Sequence, residues 1–246
     1  MRRFFRSRAS LAAFLFVPVL FCSCDSTAPR TTPAYPAHWW TPVPQEGAPA
    51  WEILPQAAKP GEVILSKRNE LGLLSNFAPT PFVFHGRSYA SLEGFWQAMK
   101  YPENADDARA TFPGLKWEYT RAQVEQMTSF AAKRAGDLAE TNMAAMKITW
   151  VTFEGHRIEY RPLQPGDHYH LIVAATWQKV LQNPNVRRVL LSTGKLVLKP
   201  DHYQEPDAPA AWRYYDILMD IRKHLQNNLS PDGKDEFRWE SRKDDR

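Results

Sequence analysis

The sequence predicts an α+β domain in which helices dominate and the strands form short hairpins. Two turn signals, His85-Gly86 and Glu154-Gly155, each separate two short runs that contain aromatic or β-branched residues. Longer segments carry apolar residues at helical spacing, most clearly at residues 212–226. The strands are few and scattered, and together these features predict one helix-rich α+β domain.

Local signals place the elements in chain order. Val63-Ile64-Leu65 predicts the first strand, and residues 81–89 predict the first hairpin. Ser91 is the expected N-cap of a helix that ends before Pro102. The remaining predicted elements are helices at 121–127, 129–141, 170–182, 186–192 and 212–226, a hairpin at 150–160 and a strand at 196–198.

Residues 1–23 have the pattern of a signal peptide. Four arginines precede an apolar run of about eleven residues, which is shorter than the roughly 20 residues of a membrane-spanning helix. Ser23-Cys24 resembles the end of a bacterial lipobox, which predicts cleavage before Cys24 and lipidation of its thiol. A plain secretory signal or an uncleaved anchor is the alternative. We expect an exported lipoprotein, anchored to a membrane of the bacterial cell envelope through this N-terminal lipid.

Charge and cysteine content restrict the possible functions. The chain has 31 basic and 27 acidic side chains, and the four leader arginines account for the whole excess. The mature chain is therefore near neutral, which argues against binding of bulk nucleic acid. Both cysteines, Cys22 and Cys24, lie in the signal region. The mature body consequently lacks a disulfide, a thiol nucleophile and a cysteine metal site.

Composition divides the mature chain into three parts. Residues 24–61 are rich in proline and predict a semi-rigid linker. Trp39, Trp40 and Trp51 interrupt this linker and either dock onto the domain or lie at the membrane surface. The predicted domain covers residues 62–226, and the polar, charged residues 227–246 predict a disordered tail.

The helix after Ser91 carries the clearest chemical pattern. Glu93, Gln97 and Lys100 are spaced i, i+4, i+7 and so lie on one stripe of the helix. A neighbouring apolar stripe is the expected buried face: Leu92, Phe95, Trp96 and Met99. The polar stripe therefore either lines a pocket beside Trp96 or is an ordinary solvated face, with Glu93 complementing the helix dipole.

Other side chains add binding capacity. Asn76-Phe77 lies in a turn rich in hydrogen-bonding groups, and Tyr89, Phe95 and Trp96 offer rings on which a base can stack. Lys133 and Arg134, at a helix start, are candidate phosphate ligands. His168-Tyr169-His170 alternates histidines, but no carboxylate or third histidine stands at a convincing spacing for a metal.

Five motifs occur in an order that resembles the NADAR, or YbiA-like, family, over roughly residues 62–226. They are Leu74-Ser75-Asn76-Phe77, the Tyr89-to-Lys100 helix with Glu93, Ala132-Lys133-Arg134-Ala135-Gly136, Leu190-Leu191-Ser192-Thr193-Gly194 and Leu218-Met219-Asp220-Ile221-Arg222. The resemblance implies an N-glycosidase that acts on ribosylamine intermediates or on ADP-ribose attached to a base. It implies a small-molecule substrate, namely a ribosylated base or nucleotide, and neither a metal nor an organic cofactor.

The resemblance also suggests residue roles. Glu93 would stabilise an oxocarbenium-like transition state and take a proton from water. Gln97 and Asn76 would hold ribose hydroxyls, and the phosphate ligands would be Lys100, Lys133 and Arg134, with Lys179 at a further basic position.

Many members of the family carry an Asp and a Trp-Gly pair near the C-terminal end. Here the corresponding residues 205–213 contain Asp207 and Trp212, but no glycine follows the tryptophan. The chain therefore resembles a divergent branch, with Asp207 as the candidate second acid; a loop acid before a helix is the other interpretation. Two further functions stay open: a non-catalytic envelope protein that binds a nucleotide or ADP-ribose, and a structural lipoprotein.

Overall fold

Short strands and longer helices alternate along the chain, and the α+β prediction is confirmed. The computed structural model describes residues 35–227 of the 246. The predicted signal peptide, the lipidation site at Cys24 and most of the predicted tail lie outside the described residues. No helix within the described range is both long and apolar enough to span a membrane.

The described strands form three two-stranded sheets. They are β1 (Glu62–Ile64), β2 (Phe82–Phe84), β3 (Arg87–Tyr89), β4 (Trp150–Phe153), β5 (His156–Glu159) and β6 (Val197–Lys199). β2–β3 and β4–β5 are the two predicted hairpins, whereas β1 pairs in parallel with the distant β6. His85-Gly86 and Glu154-Gly155 all have positive φ, as the predicted two-residue hairpin turns require.

The helices follow the predicted order with shifted ends. They are α1 (Leu92–Ala98), α2 (Arg121–Glu125), α3 (Ser129–Met146), α4 (Asp167–Gln182), α5 (Pro184–Ser192) and α6 (Tyr214–Asn227). Short 3₁₀ helices lie at Ala37–Trp40, Pro55–Ala57, Glu70–Leu74 and Ala210–Trp212. α3 continues to Met146, beyond its predicted end at residue 141, and α4 begins at Asp167 rather than at residue 170.

α1 lies at the centre of the fold. Every residue from Leu92 to Ala98 is buried, and the helix contacts α2, α3 and α4. Ser91 is its N-cap, as predicted, and its side chain accepts a hydrogen bond from the backbone N of Gly94 at 2.9 Å. A Cβ at Gly94 would lie 2.5 Å from the carbonyl oxygen of Met127 and 3.0 Å from that of Val124, so glycine allows α2 and the residues after it to approach. A helix buried on all sides must place its polar stripe against protein or a cavity.

The segment before β1 belongs to the fold, which corrects the predicted linker. Trp39 is 1% exposed and packs in the main hydrophobic core. Its Nε1 donates to Glu70 Oε1 at 2.8 Å, and Trp40 Nε1 donates to the carbonyl oxygen of Glu62 at 2.9 Å. Of the two alternatives for these tryptophans, the structure shows docking. The described domain therefore begins by Tyr35 rather than at residue 62, because buried aromatic area outweighs the extended preference of the prolines.

Candidate functional site

A cavity of about 590 Å³ opens on the polar side of α1. This volume lies in the range of small-molecule sites. Its walls come from α1, α3, the loop after β1 and the segment that leads into α6. The lining residues are Trp51, Lys67, Ser75, Asn76, Phe77, Glu93, Trp96, Gln97, Lys100, Phe130, Lys133, Asp137, Glu140, Tyr160, Arg161, His202, Tyr203, Gln204, Trp212 and Tyr214.

Glu93 is held from two sides at this cavity. Its backbone N donates to the carbonyl oxygen of Asn76 at 3.0 Å, which ties α1 to the Asn76 loop. Its Oε1 accepts a hydrogen bond from Gln97 Nε2 at 2.7 Å. The residue is only 6% exposed. The i, i+4 spacing thus fixes the carboxylate through a hydrogen bond within the helix.

The environment of Glu93 raises its pKa above the ordinary glutamate value. Burial is the largest cause, because removal from water disfavours the charged form. The hydrogen bond from Gln97 and the positive charges of Lys100 and Lys133 oppose this shift, and the negative charge of Asp137 adds to it. A carboxylate in such surroundings suits proton transfer better than an exposed one.

α3 presents a second polar stripe to the same cavity. Lys133, Asp137 and Glu140 are spaced i, i+4, i+7, and Lys133 pairs with Asp137. Gly136 lies on the face that meets α1: a Cβ there would lie 1.8 Å from Gln97 Oε1. Glycine at this position therefore lets Gln97 lie against α3 and reach Glu93.

A network of charges closes the inner wall of the cavity. Buried Lys100 donates to Glu140 Oε1, and Arg161 Nη2 donates to Glu140 Oε2 at 2.7 Å. Tyr160 accepts a hydrogen bond from Trp96 Nε1 at 3.2 Å. Burial opposes ionisation of Glu140, but Lys100 and Arg161 outweigh it and hold the pKa of Glu140 below its usual value. Glu140 is thus a fixed negative charge, in contrast to Glu93.

Seven of the predicted site residues meet at the cavity. They are Asn76, Phe77, Glu93, Trp96, Gln97, Lys100 and Lys133. The solvated alternative for the polar stripe does not hold, because Glu93, Gln97 and Lys100 are all buried.

Four predicted site residues lie elsewhere. Tyr89 is buried between Phe82 and Phe95, so its ring is closed to a ligand. The same burial raises the pKa of Tyr89 to about 12. Arg134 and Asp207 are exposed and do not line the cavity. Lys179 is buried away from the lining, and its Nζ donates to the carbonyl oxygen of Ser75 at 2.6 Å. These placements correct the predicted stacking role of Tyr89, phosphate roles of Arg134 and Lys179, and second-acid role of Asp207.

Sequence reasoning missed most of the other lining residues. The acids that do line the cavity beside Glu93 are Asp137 and Glu140, and their helical spacing from Lys133 is a signal that could have found them. Trp51, Lys67, Phe130 and residues 202–204 carry no such local signal. They reach the cavity only through the packing of distant segments.

Replacing Gln97 should move the pH dependence of any reaction that uses Glu93 as a base. In Gln97→Met the hydrogen bond that lowers the pKa of Glu93 is lost, so this pKa rises further. A base is inactive once protonated, so the acidic limb of the rate–pH profile should move to higher pH. Gly136→Ala should act in the same direction by displacing Gln97. Exposed Gln226→Met is the matched control, and an unmoved limb in Gln97→Met would contradict the assignment.

His168 is buried next to the cavity wall, against two aromatic rings. Its ring meets Trp96 and Tyr160 edge-on at 5.0 and 5.2 Å, and neither ring nitrogen has a hydrogen-bond partner among residues 35–227. Burial, aided by the charge of Lys100, lowers its pKa to about 3. Within the described chain, no group of three or more His, Cys, Asp or Glu side chains is arranged to hold a metal ion.

This histidine should make the fold sensitive to acid. Between pH 6.5 and about 3 the unfolded chain binds a proton at His168 and the folded chain does not. The free energy of unfolding should therefore fall by about 1.4 kcal/mol for each pH unit of acidification in this window. Urea titrations of His168→Phe should lack this part of the slope, whereas exposed His170→Phe should keep it. The prediction would be refuted if the free energy of unfolding fell with pH equally steeply in wild type and His168→Phe.

Comparison with known proteins gives a structural likeness. No protein-family model and no curated protein matches the sequence. The chain is similar to the NMR structure of the E. coli protein YbiA, with 20% sequence identity and a TM-score of 0.42. The match covers 68% of this chain and 86% of that one.

Proposed function

We propose that the protein is an N-glycosidase that hydrolyses the bond between a ribosyl group and the nitrogen of a base or amine. The alternative is a protein that binds a nucleotide or ADP-ribose without catalysis. The proposal rests on the sequence motifs and, above all, on one feature of the site: the buried Glu93 carboxylate at a cavity large enough for such a ligand.

Cleavage of a ribosyl–nitrogen bond places demands that Glu93 meets. As the bond from C1′ to nitrogen breaks, positive charge develops on the sugar, and a buried carboxylate stabilises that charge more strongly than an exposed one. Water then bonds to C1′ through its oxygen. Glu93 accepts one water proton and passes it to the departing nitrogen, which then carries a proton in place of the sugar, and the carboxylate is regenerated. Its raised pKa makes Glu93 a more effective base for this transfer.

The surrounding groups supply binding and orientation. Asn76 and Gln97 offer amide groups to ribose hydroxyls, and Gln97 also orients Glu93 through the 2.7 Å hydrogen bond. Lys133 is half-exposed at the cavity and pairs with Asp137, so a bound phosphate would share its ammonium group with that carboxylate. Glu140 keeps its charge and holds Lys100, so the ionised pair adds a fixed field to the inner wall.

The binding alternative uses the same cavity. Each lysine that lines it already has a carboxylate partner: Lys67 with Asp201, Lys100 with Glu140 and Lys133 with Asp137. Such pairing weakens the electrostatic attraction between these lysines and a phosphate. Binding of a base by aromatic rings also needs no catalytic acid. The two functions differ in one observable, the release of product.

Incubation of the mature protein with ribosylated candidates tests the proposal. The panel should include ribosylamine phosphates, nucleoside monophosphates and ADP-ribosylated bases, with chromatographic detection of freed base and of ribose, ribose phosphate or ADP-ribose. Release that requires Glu93 supports the N-glycosidase. Saturable binding without release across the panel supports the binding protein.

Export and a lipid anchor at Cys24 remain proposals that rest on the pattern of residues 1–24. Bacterial cells that express the natural chain or Cys24→Ala should be labelled with a radioactive fatty acid. The natural chain should incorporate the label, and Cys24→Ala should not. An exported N-glycosidase would meet ADP-ribose-type or salvage substrates of the envelope rather than biosynthetic intermediates.

A further inference from the structure

Exposed aromatic rings cluster at the outer end of the cavity. Trp51 and Phe130 are 45% and 47% exposed, whereas Glu93 in the inner wall is 6% exposed. The Phe130 ring lies 6.1 Å from Trp51 and 5.2 Å from Phe77, and all three rings line the cavity. Large aromatic surface left in contact with water beside a cavity is typical of a binding site.

The backbone that carries Trp51 is fixed, although its indole is exposed. Glu52 accepts hydrogen bonds from Arg68 Nε and Nη2 at 2.8 and 2.6 Å. The backbone N of Ile53 donates to the carbonyl oxygen of Asp201 at 2.7 Å. The backbone at Trp51 is therefore in place before a ligand arrives, so only the torsions of its side chain remain to be ordered on binding.

A lysine links two of these rings. Lys67 Nζ lies 5.6 Å from the centre of the Trp51 ring and 5.4 Å from that of Phe77, within the range of cation–π contact. The same ammonium group pairs with buried Asp201, so its charge is already balanced. Lys67 thus positions the rings and is a poor candidate for a phosphate ligand.

We propose that Trp51, Phe77 and Phe130 form an aromatic subsite that binds a planar ring of the ligand, the nucleobase of a nucleotide. This inference rests on the proposed function and specifies its substrate class: a ribosyl compound whose base, rather than its phosphate, supplies most of the binding. The subsite depends on Trp51, so the proline-rich N-terminal segment takes part in ligand recognition.

Two ligands that differ only in the ring test the subsite: adenosine 5′-monophosphate and ribose 5-phosphate. Titration calorimetry should use the Glu93→Gln protein, which the proposed function leaves unable to consume them. The nucleotide should bind more tightly than the sugar phosphate. Adding Trp51→Ala should weaken nucleotide binding about 5- to 150-fold, the range of one base–aromatic stack, and leave ribose 5-phosphate unaffected.

Matched variants separate stacking from general damage. Trp51→Phe should recover part of the nucleotide affinity, and Phe112→Ala, which removes an exposed ring outside the cavity lining, should change nothing. Phe130→Ala should reproduce the effect of Trp51→Ala. Equal nucleotide affinity with and without Trp51, no preference for the nucleotide over the sugar phosphate, or no binding of either ligand would each overturn the subsite.

Failure of the proposed function would look different. If Glu93→Gln retained normal turnover while Trp51→Ala still weakened nucleotide binding, the glycosidase role of Glu93 would fall and the subsite would stand. If turnover required Glu93 but nucleotide affinity did not depend on Trp51, the subsite would fall and the glycosidase role of Glu93 would stand.

Discussion

Glu93→Gln is expected to lower turnover by at least about 100-fold, the lower end of what a positioned general base contributes. Glutamine keeps the shape and can still accept the hydrogen bond from Gln97, but it cannot take a proton from water. Substrate affinity should change much less than kcat. Measurement of kcat and KM with the best substrate of the panel checks this. Near-normal kcat would remove Glu93 from the mechanism.

The same substitution should not destabilise the fold. The folded pKa of Glu93 is raised, so between the unfolded and the folded pKa the folded chain keeps a proton that the unfolded chain has lost. The contribution of protonated Glu93 to stability is fully present below about pH 4.5, and it is lost as pH rises through the folded pKa, at about 1.4 kcal/mol per pH unit between the two values. Glutamine carries no such cost, so Glu93→Gln should be at least as stable as wild type at neutral pH. A large loss of stability of Glu93→Gln at neutral pH would contradict this expectation, and the fall in kcat would then reflect unfolding rather than loss of the general base.

Exposed Asp207→Asn is the control for this experiment. It removes the other carboxylate that the sequence suggested for catalysis, at a position outside the cavity lining. Turnover should stay within about twofold of wild type. A loss as large as that of Glu93→Gln would restore Asp207 as the second acid and require a rearrangement of residues 205–213.

Trp39→Ala is expected to cost about 3–5 kcal/mol of stability, the usual range for deleting a buried large aromatic side chain. The ring is almost completely buried in the main core, and its loss also removes a hydrogen bond to Glu70. For a domain of this size such a loss corresponds to a fall in Tm on the order of 10 °C. Thermal and urea unfolding monitored by circular dichroism measure it.

Trp51→Ala is the matched control, because Trp51 belongs to the same N-terminal segment but is half-exposed. It should change stability by less than about 1 kcal/mol, in keeping with an exposed substitution. Equal, small effects of both substitutions would mean that residues 35–61 are not part of the cooperative fold and that the predicted linker was right.

Local sequence signals were sufficient for the order of the α-helices and strands and for the polar stripe of the site. Turn residues with positive φ fixed the two hairpins, and Ser91 and Pro102 bounded the central helix. Helical periodicity placed Glu93, Gln97 and Lys100 on one stripe. These features depend on residues a few positions apart, which is the range over which hydrogen bonding and side-chain spacing act within one element.

Tertiary packing decided which faces meet. The sequence shows that Tyr89 and Phe95 are aromatic, but only packing against Phe82 shows that the Tyr89 ring is closed to a ligand. The second wall of the cavity joins α3 to residues 202–214 and to Trp51, which are far apart in the sequence. Proline content predicted an extended linker, whereas burial of Trp39 docks that segment onto the core. Contacts between distant segments depend on the complementary shapes of whole faces, and no local pattern records them.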